Sequence, residues 1–188
     1  MPLSAQDFSF SQYFNFAPTT NPANTGYYRQ DYRAGIIHRR QWQQIGNPFL
    51  TSGVFADFNF KPGSFKGVPK EGAPQIGVGL NFVNDQMGNG IYRANHIMGS
   101  ASFIKPFGEY YRNTIAFGVQ AGYYQKGINS SGLYFADQFS AFRRPELPTR
   151  EQVINNSQNS FNLNAGVNYS LMLSKKINLT VGASSFNI

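Results

Sequence analysis

An all-β chain of antiparallel strands, about eight of them, building a transmembrane β-barrel or a truncated portion of a larger one, is the fold this sequence predicts. Three observations predict it. Apolar residues alternate with small or polar ones at a period of two along several segments, the pattern of a strand with two chemically opposite faces. The segments run to about 9 to 13 residues, longer than the about 5 to 6 of soluble sheets and near the about 9 to 11 that cross a bilayer at a tilt. Helical signals are nearly absent, and the intervening stretches are rich in Gly, Pro and Asn.

In chain order, Phe8 to Tyr28 is too aromatic for a solvated tail. Residues 1–28 are therefore expected to pack in or under the barrel. A first strand around Tyr32 to Trp42 is ambiguous in its facing, because Ile36 and Ile37 are adjacent and Arg39 and Arg40 follow. Val54, Ala56, Phe58 and Phe60 then alternate with Gly53, Phe55, Asp57 and Asn59, and Ile76, Val78, Leu80 and Phe82 with Gly77, Gly79 and Asn81. The stretch from Asn84 to Gly90 reads as a turn, as does Lys61 to Ser64. Next, Ile97, Gly99, Ala101 and Phe103 alternate with His96, Met98, Ser100 and Ser102, and Ile115 to Tyr123 repeats the rhythm. A short strand is expected around Leu133 to Phe139, within a long, charged extramembrane loop between Lys126 and Ser160. The clearest alternation comes last: Phe161 to Leu171 and Ile177 to Ser184, joined at Ser174, Lys175 and Lys176, predict a hairpin.

Composition agrees and excludes several classes. Only 13% of residues are charged, against about 25% in ordinary soluble domains, while 16% are aromatic and 19 are glycine. The mean hydropathy of -0.37 does not argue against a barrel, whose lumen-facing residues dilute the average. With no cysteine, disulfides and thiolate chemistry are excluded. The net charge of +7 is scattered and accompanies no nucleic-acid-binding module, so nucleic acid is not an expected partner. The chain reads as a single domain over residues 1–188. The start at Met1 lacks the basic and apolar regions of a signal peptide, although Leu3-Ser4-Ala5 resembles the small-residue tail of one.

Candidate chemistry is sparse. His96 shares a face with Ser100 and Ser102, the minimum a barrel hydrolase would need, yet no nucleophile motif or nearby acid completes it. Asn84, Asp85 and Asn89 lack the glycine and acid spacing of a calcium loop and read better as turn residues. Arg39, Arg40 and Trp42 fit either an interfacial belt or an internal plug contact. No catalytic residue, cofactor or metal site is expected.

One set of short elements is more telling in its order than in any member. Phe10-Ser11-Gln12-Tyr13 is followed by Asn21-Pro22-Ala23 and Gly26, then by Arg39, Gln41 and Trp42, by the glycine-rich strand leading to Asn84, Asp85, Gly88 and Gly90, and by Gln120 to Tyr123 and Leu133 to Phe139 with Asp137 and Gln138. The series resembles the PorP/SprF family of type IX secretion and gliding proteins. Departures are Phe16-Ala17-Pro18, where the family usually has a first asparagine-proline, and His38, where it has tyrosine. Family members are typically longer, so the chain is expected to be C-terminally truncated. The resemblance implies a non-enzymatic, Bacteroidota-like outer-membrane component of the type IX machinery, with outer-membrane lipid, a secreted adhesin's C-terminal domain and periplasmic secretion components as partners. A general diffusion porin and, less favoured, a barrel enzyme acting on lipid are the competing functions.

Overall fold

The structure, a computed structural model, describes residues 17–28, 30–45, 48–62, 72–88, 90–129, 138, 157–174 and 177–188. The expected strand at Leu133 to Phe139 and the segment Phe8 to Phe16 lie outside these residues, Gln138 excepted.

Seven strands form one antiparallel sheet in sequential order, curved into a half-barrel: β1 (Tyr32–Gln41), β2 (Phe49–Phe60), β3 (Gln75–Met87), β4 (Tyr92–Phe107), β5 (Asn113–Ile128), β6 (Ser157–Ser174) and β7 (Ile177–Ser185). One four-residue helix, α1 (Ala17–Thr20), and a 3-10 turn at Pro22–Asn24 precede them. The connections 61–74, 108–112 and 175–176 lie at one end, called proximal here. Those of 42–48, 88–91 and 129–156 lie at the other, distal end.

The burial pattern is inverted relative to a soluble protein. Large apolar side chains stand on the convex face in the open, Ile36 at 87% exposure and Leu80 at 61%, while Asp57 and Gln120 on the concave face are 0% and 1% exposed. A soluble chain would place the greasy set inside. This chain turns it outward, which is favourable only where the surroundings are themselves apolar.

Register sharpens the point. Laterally paired residues form rungs across the sheet, and the convex rung Ile36, Val54, Phe82, Ile97, Tyr123 and Phe161 is the distal limit of the apolar band. The proximal limit lies at Phe107, Leu171 and Leu179, around Asn113. Along β5 the band runs from Tyr123 to Asn113. Those ten steps at about 3.4 Å each, tilted by about 40°, give about 26 Å of height, close to the apolar band of outer-membrane barrels. Lys105 sits one rung inside the proximal limit, where its ammonium can reach the headgroups along its own aliphatic stem.

Three sequence expectations are refined. Ile36 faces out and Ile37 in, and likewise Arg40 out and Arg39 in, so the doublets in β1 divide between faces and strict alternation is kept. Asn84 to Met87 are strand, and the turn is confined to Gly88–Ile91, with Gly88 and Gly90 at φ 65° and 89°. Strands reach 18 residues in β6, because ladder pairing continues beyond the apolar band into polar rungs.

An arginine at Val78, on the convex face at mid-height of the band, should destabilise the folded barrel by about 2 to 4 kcal/mol, whereas one at Gln125, past the distal limit, should cost at most about 1 kcal/mol. Urea titration in lipid, followed by the mobility difference of folded and unfolded forms on unheated gels, measures both.

Candidate functional site

The concave face is crossed by residues 17–28, a strap running transverse to the strands. Its path follows a rung built almost entirely of small residues: Asn59, Gly77, Ser102, Gly118, Gly166 and Ser184 are paired laterally across β2 to β7. The rung lies between the convex rungs of Val119 and Phe117, at mid-height of the apolar band. A Cβ on Gly118 would collide with the backbone of Pro22 and Ala23, one on Gly77 with the carbonyl of Thr25, and one on Gly166 with the Asn21 side chain. Glycine here provides backbone approach rather than flexibility.

Polar bonds fasten the strap along its length. Asn21 caps the 3-10 turn by accepting from the Ala23 N–H at 2.9 Å, and its Nδ2 donates to Asn168 Oδ1 at 2.8 Å and to the carbonyls of Val167 and Ala183. Pro22 follows at the first turn position, where a missing N–H costs nothing. Asn168 Nδ2 donates to Asn24 Oδ1 at 2.6 Å. Thr25 donates to Ser100 Oγ at 2.9 Å, and Ser102 Oγ donates to the Thr25 carbonyl. Gln120, held by Asn164, reaches the Pro18 carbonyl, and Ser184 that of Thr20.

At the strap's C-terminal end, Asp57 gathers three donors. The Gly26 N–H donates to Oδ2 at 2.8 Å, and Arg33 donates through Nε and Nη2 at 3.0 and 2.7 Å. Arg33 Nη2 also donates to the Asn24 carbonyl at 3.2 Å. Gly26 has φ 65°, and a Cβ there would lie 2.5 Å from Gly77 Cα, so both backbone angle and space call for glycine. The Tyr28 hydroxyl donates to the Asp57 carbonyl at 2.6 Å, and the Arg33 guanidinium lies 4.7 Å from the Tyr28 ring centroid. Burial, then the charge of Asp57, pushes the Tyr28 phenol up to about 12. Below the strap a recess of about 930 Å³ opens toward the proximal end, lined in part by Tyr27, Tyr28, Ile104, Tyr111 and Arg112.

The residues singled out in the sequence therefore separate into two places. Asn21, Pro22, Ala23 and Gly26 are the strap itself. Arg39, Gln41, Trp42, Asn84, Asp85, Gly88 and Gly90 stand at the distal end, far along the strands from it. There Trp42, at φ 57°, packs edge-on to Phe49 at 5.0 Å, and Asp85 accepts from Thr51 at 2.6 Å. Phe10, Ser11, Gln12, Tyr13 and Asp137 lie outside the described residues, and Gln138 is half-buried. Ser100 and Ser102 are bonded to Thr25, while the His96 ring lies 4.0 Å from that of Tyr124, so these three side chains are engaged in packing and strap attachment. Sequence reading missed Arg33, Asp57, Gln120, Asn164 and Asn168 as strap anchors. The available signal was a lone acid, Asp57, on an otherwise uncharged strand.

A family model described as type IX secretion system membrane protein PorP/SprF matches residues 3–188. No curated protein and no solved structure matches the chain.

Removing Arg33 leaves the Asp57 carboxylate buried without its cation, while removing the Asp57 charge leaves an arginine that is 30% exposed and can hydrate. Arg33→Ala should thus cost about 3 to 5 kcal/mol, Asp57→Asn clearly less, and the double variant less than Arg33→Ala alone. Denaturant titration with chymotrypsin cleavage of the strap at Tyr27 and Tyr28 as a second readout tests the ranking. For Tyr28, a folded pKa above the ordinary 10.0 means that its stabilising effect is complete below pH 10 and is lost as pH rises through about 12. Tyr28→Phe should abolish the corresponding late step in the tyrosinate absorbance titration.

Proposed function

The chain belongs to the PorP/SprF family of type IX secretion system membrane proteins, and on that premise we propose that it is a non-enzymatic outer-membrane component of the secretion and gliding machinery of a Bacteroidota cell, docking or helping to export large surface adhesins. The observation that carries the reading is the strap. Residues 17–28 cross the concave face at mid-height of the apolar band, in the space a diffusion pore would need as an aqueous path. Their attachment by side chains from β2 to β7 favours a permanently occupied lumen. A barrel without a through-path works by what it holds at its two mouths.

The two ends differ in ways that suit such a role. At the proximal end, the recess below the strap offers aromatic and cationic side chains to a periplasmic component of the machinery. At the distal end, the 129–156 connection is the longest in the chain and has the length and charge to meet a secreted adhesin's C-terminal domain. The strand-built apolar band supports the outer-membrane reading, since hydrocarbon-spanning sheets are barrels and such barrels populate outer membranes. The porin alternative predicts a vacant lumen, and the lipid-enzyme alternative predicts that Ser100 is free to act as nucleophile rather than bonded to Thr25.

Affinity isolation of the tagged chain from native membranes should recover type IX components and an adhesin. In planar bilayers the wild-type protein should conduct no measurable ion current, while Gly118→Val, which drives a side chain into Pro22 and Ala23, should displace the strap and open a conductance. Ohmic wild-type current without copurifying machinery would favour the porin reading instead.

A further inference from the structure

The convex face changes character in a single step at the distal limit of the apolar band. One rung beyond Ile36 to Phe161, the laterally paired residues are His38, Ser52, Asn84, Asn95, Gln125 and Asn159, polar on every strand from β1 to β6. They bond to one another, His38 Nδ1 with Ser52 Oγ at 2.9 Å and Asn84 Nδ2 to Asn95 Oδ1 at 2.7 Å. Such a line is stable against water and headgroups and costly against hydrocarbon, so it marks the edge of the membrane core.

One rung further out stand Arg40 and Arg93, both exposed, with Leu50 and Gln86 between them. Neither has an ion-pair partner among the described residues. The described carboxylates are elsewhere: Asp57 and Asp85 face the concave side, and Asp31 and Glu109 lie at the proximal end. Among the described residues the convex distal rim is thus cationic without a compensating carboxylate, at headgroup depth. Three interstrand spacings, about 14 Å, separate the two arginines, too far to share one phosphate and well placed for two adjacent ones. The distal end carries the longest connection and the proximal end the shortest, two residues between β6 and β7, an asymmetry that in outer-membrane barrels puts the distal end outside.

We propose that Arg40 and Arg93 form a belt that binds phosphorylated headgroups of the outer-leaflet glycolipid, fixing the depth and orientation of the barrel. The guanidinium fork matches phosphate oxygens bidentately, and the polar rung beneath receives the sugar hydroxyls. The belt rests on the outer-membrane reading above. Arg39, one residue away, plays no part because it faces the lumen.

The test is reconstitution of the full chain in nanodiscs of phosphatidylcholine doped with either lipid A or enzymatically dephosphorylated lipid A, with retained glycolipid counted by native mass spectrometry. Lipid A should be retained in preference to its dephosphorylated form. Arg40→Gln and Arg93→Gln should each lower that retention about fivefold and together about thirtyfold, while Lys105→Gln, near the proximal limit, should leave it unchanged. Equal retention of both glycolipids by an inserted wild-type barrel, or an equal loss with Lys105→Gln, overturns the belt alone. Failure of the wild-type chain to insert in either nanodisc overturns the belt and the membrane reading together.

Discussion

Backbone pairing in the absence of water is the constraint on which the rest of this structure depends. In hydrocarbon an unpaired N–H or C=O has no solvent to turn to, so each strand must bond to its neighbours along its length. That demand produces the unbroken antiparallel ladders from β1 to β7, with one irregularity, between Met172 and Ser174 at the proximal end of β6. Ladder pairing also fixes register, and because side chains alternate strictly, register decides every rung on both faces. The apolar band, its polar boundary and the small-residue groove are all consequences of the same alignment.

Once the apolar side chains are committed to the lipid face, the interior has to cohere by other means. Among the described residues its apolar clusters are small, Phe55 with Val83 and Ala23 with Ile104 and Ala116. Polar contacts take the place of a core: amides of Asn21, Gln120, Asn164 and Asn168, hydroxyls of Thr25, Ser100 and Ser102, and the Asp57 carboxylate. Each neutral hydrogen bond contributes on the order of 1 kcal/mol net. The larger effect is negative, since a strand-facing amide or carboxylate deprived of its strap partner would be buried and unsatisfied. Close packing of glycine against backbone and satisfaction of polar groups are here the same event, which is why the strap needs Asn-Pro-Ala and the sheet needs Gly77, Gly118 and Gly166 together.

This arrangement gives the family assignment a physical content. The strap segment contains the Asn21, Pro22, Ala23 and Gly26 elements through which the sequence resembles PorP/SprF. Asn21 caps, Pro22 initiates the turn, Ala23 permits close approach and Gly26 supplies a left-handed backbone. The distal elements, Arg39, Gln41, Trp42, Asn84, Asp85, Gly88 and Gly90, stand at strand ends and a tight turn. One linear motif set thus describes two structural devices, a bound strap and a membrane rim.

Strand identity, lipid-facing residues and the all-β class were legible in the sequence because period-two alternation is a local property, written in neighbours. Even β1, whose paired isoleucines and arginines looked contradictory, obeys it once Ile37 and Arg39 are placed inside. The Asn84 to Gly90 stretch was less legible, because turn-forming residues also make good polar strand positions beyond the lipid. What only the tertiary structure decided is lateral: that Gly77, Ser102, Gly118, Gly166 and Ser184, separated by up to 107 positions in the chain, stand in one row, and that the strap lies along it. Local alternation says which face a side chain takes, but not its height against the next strand. Height is set by hydrogen-bond register across the whole sheet, a collective quantity that no single segment encodes.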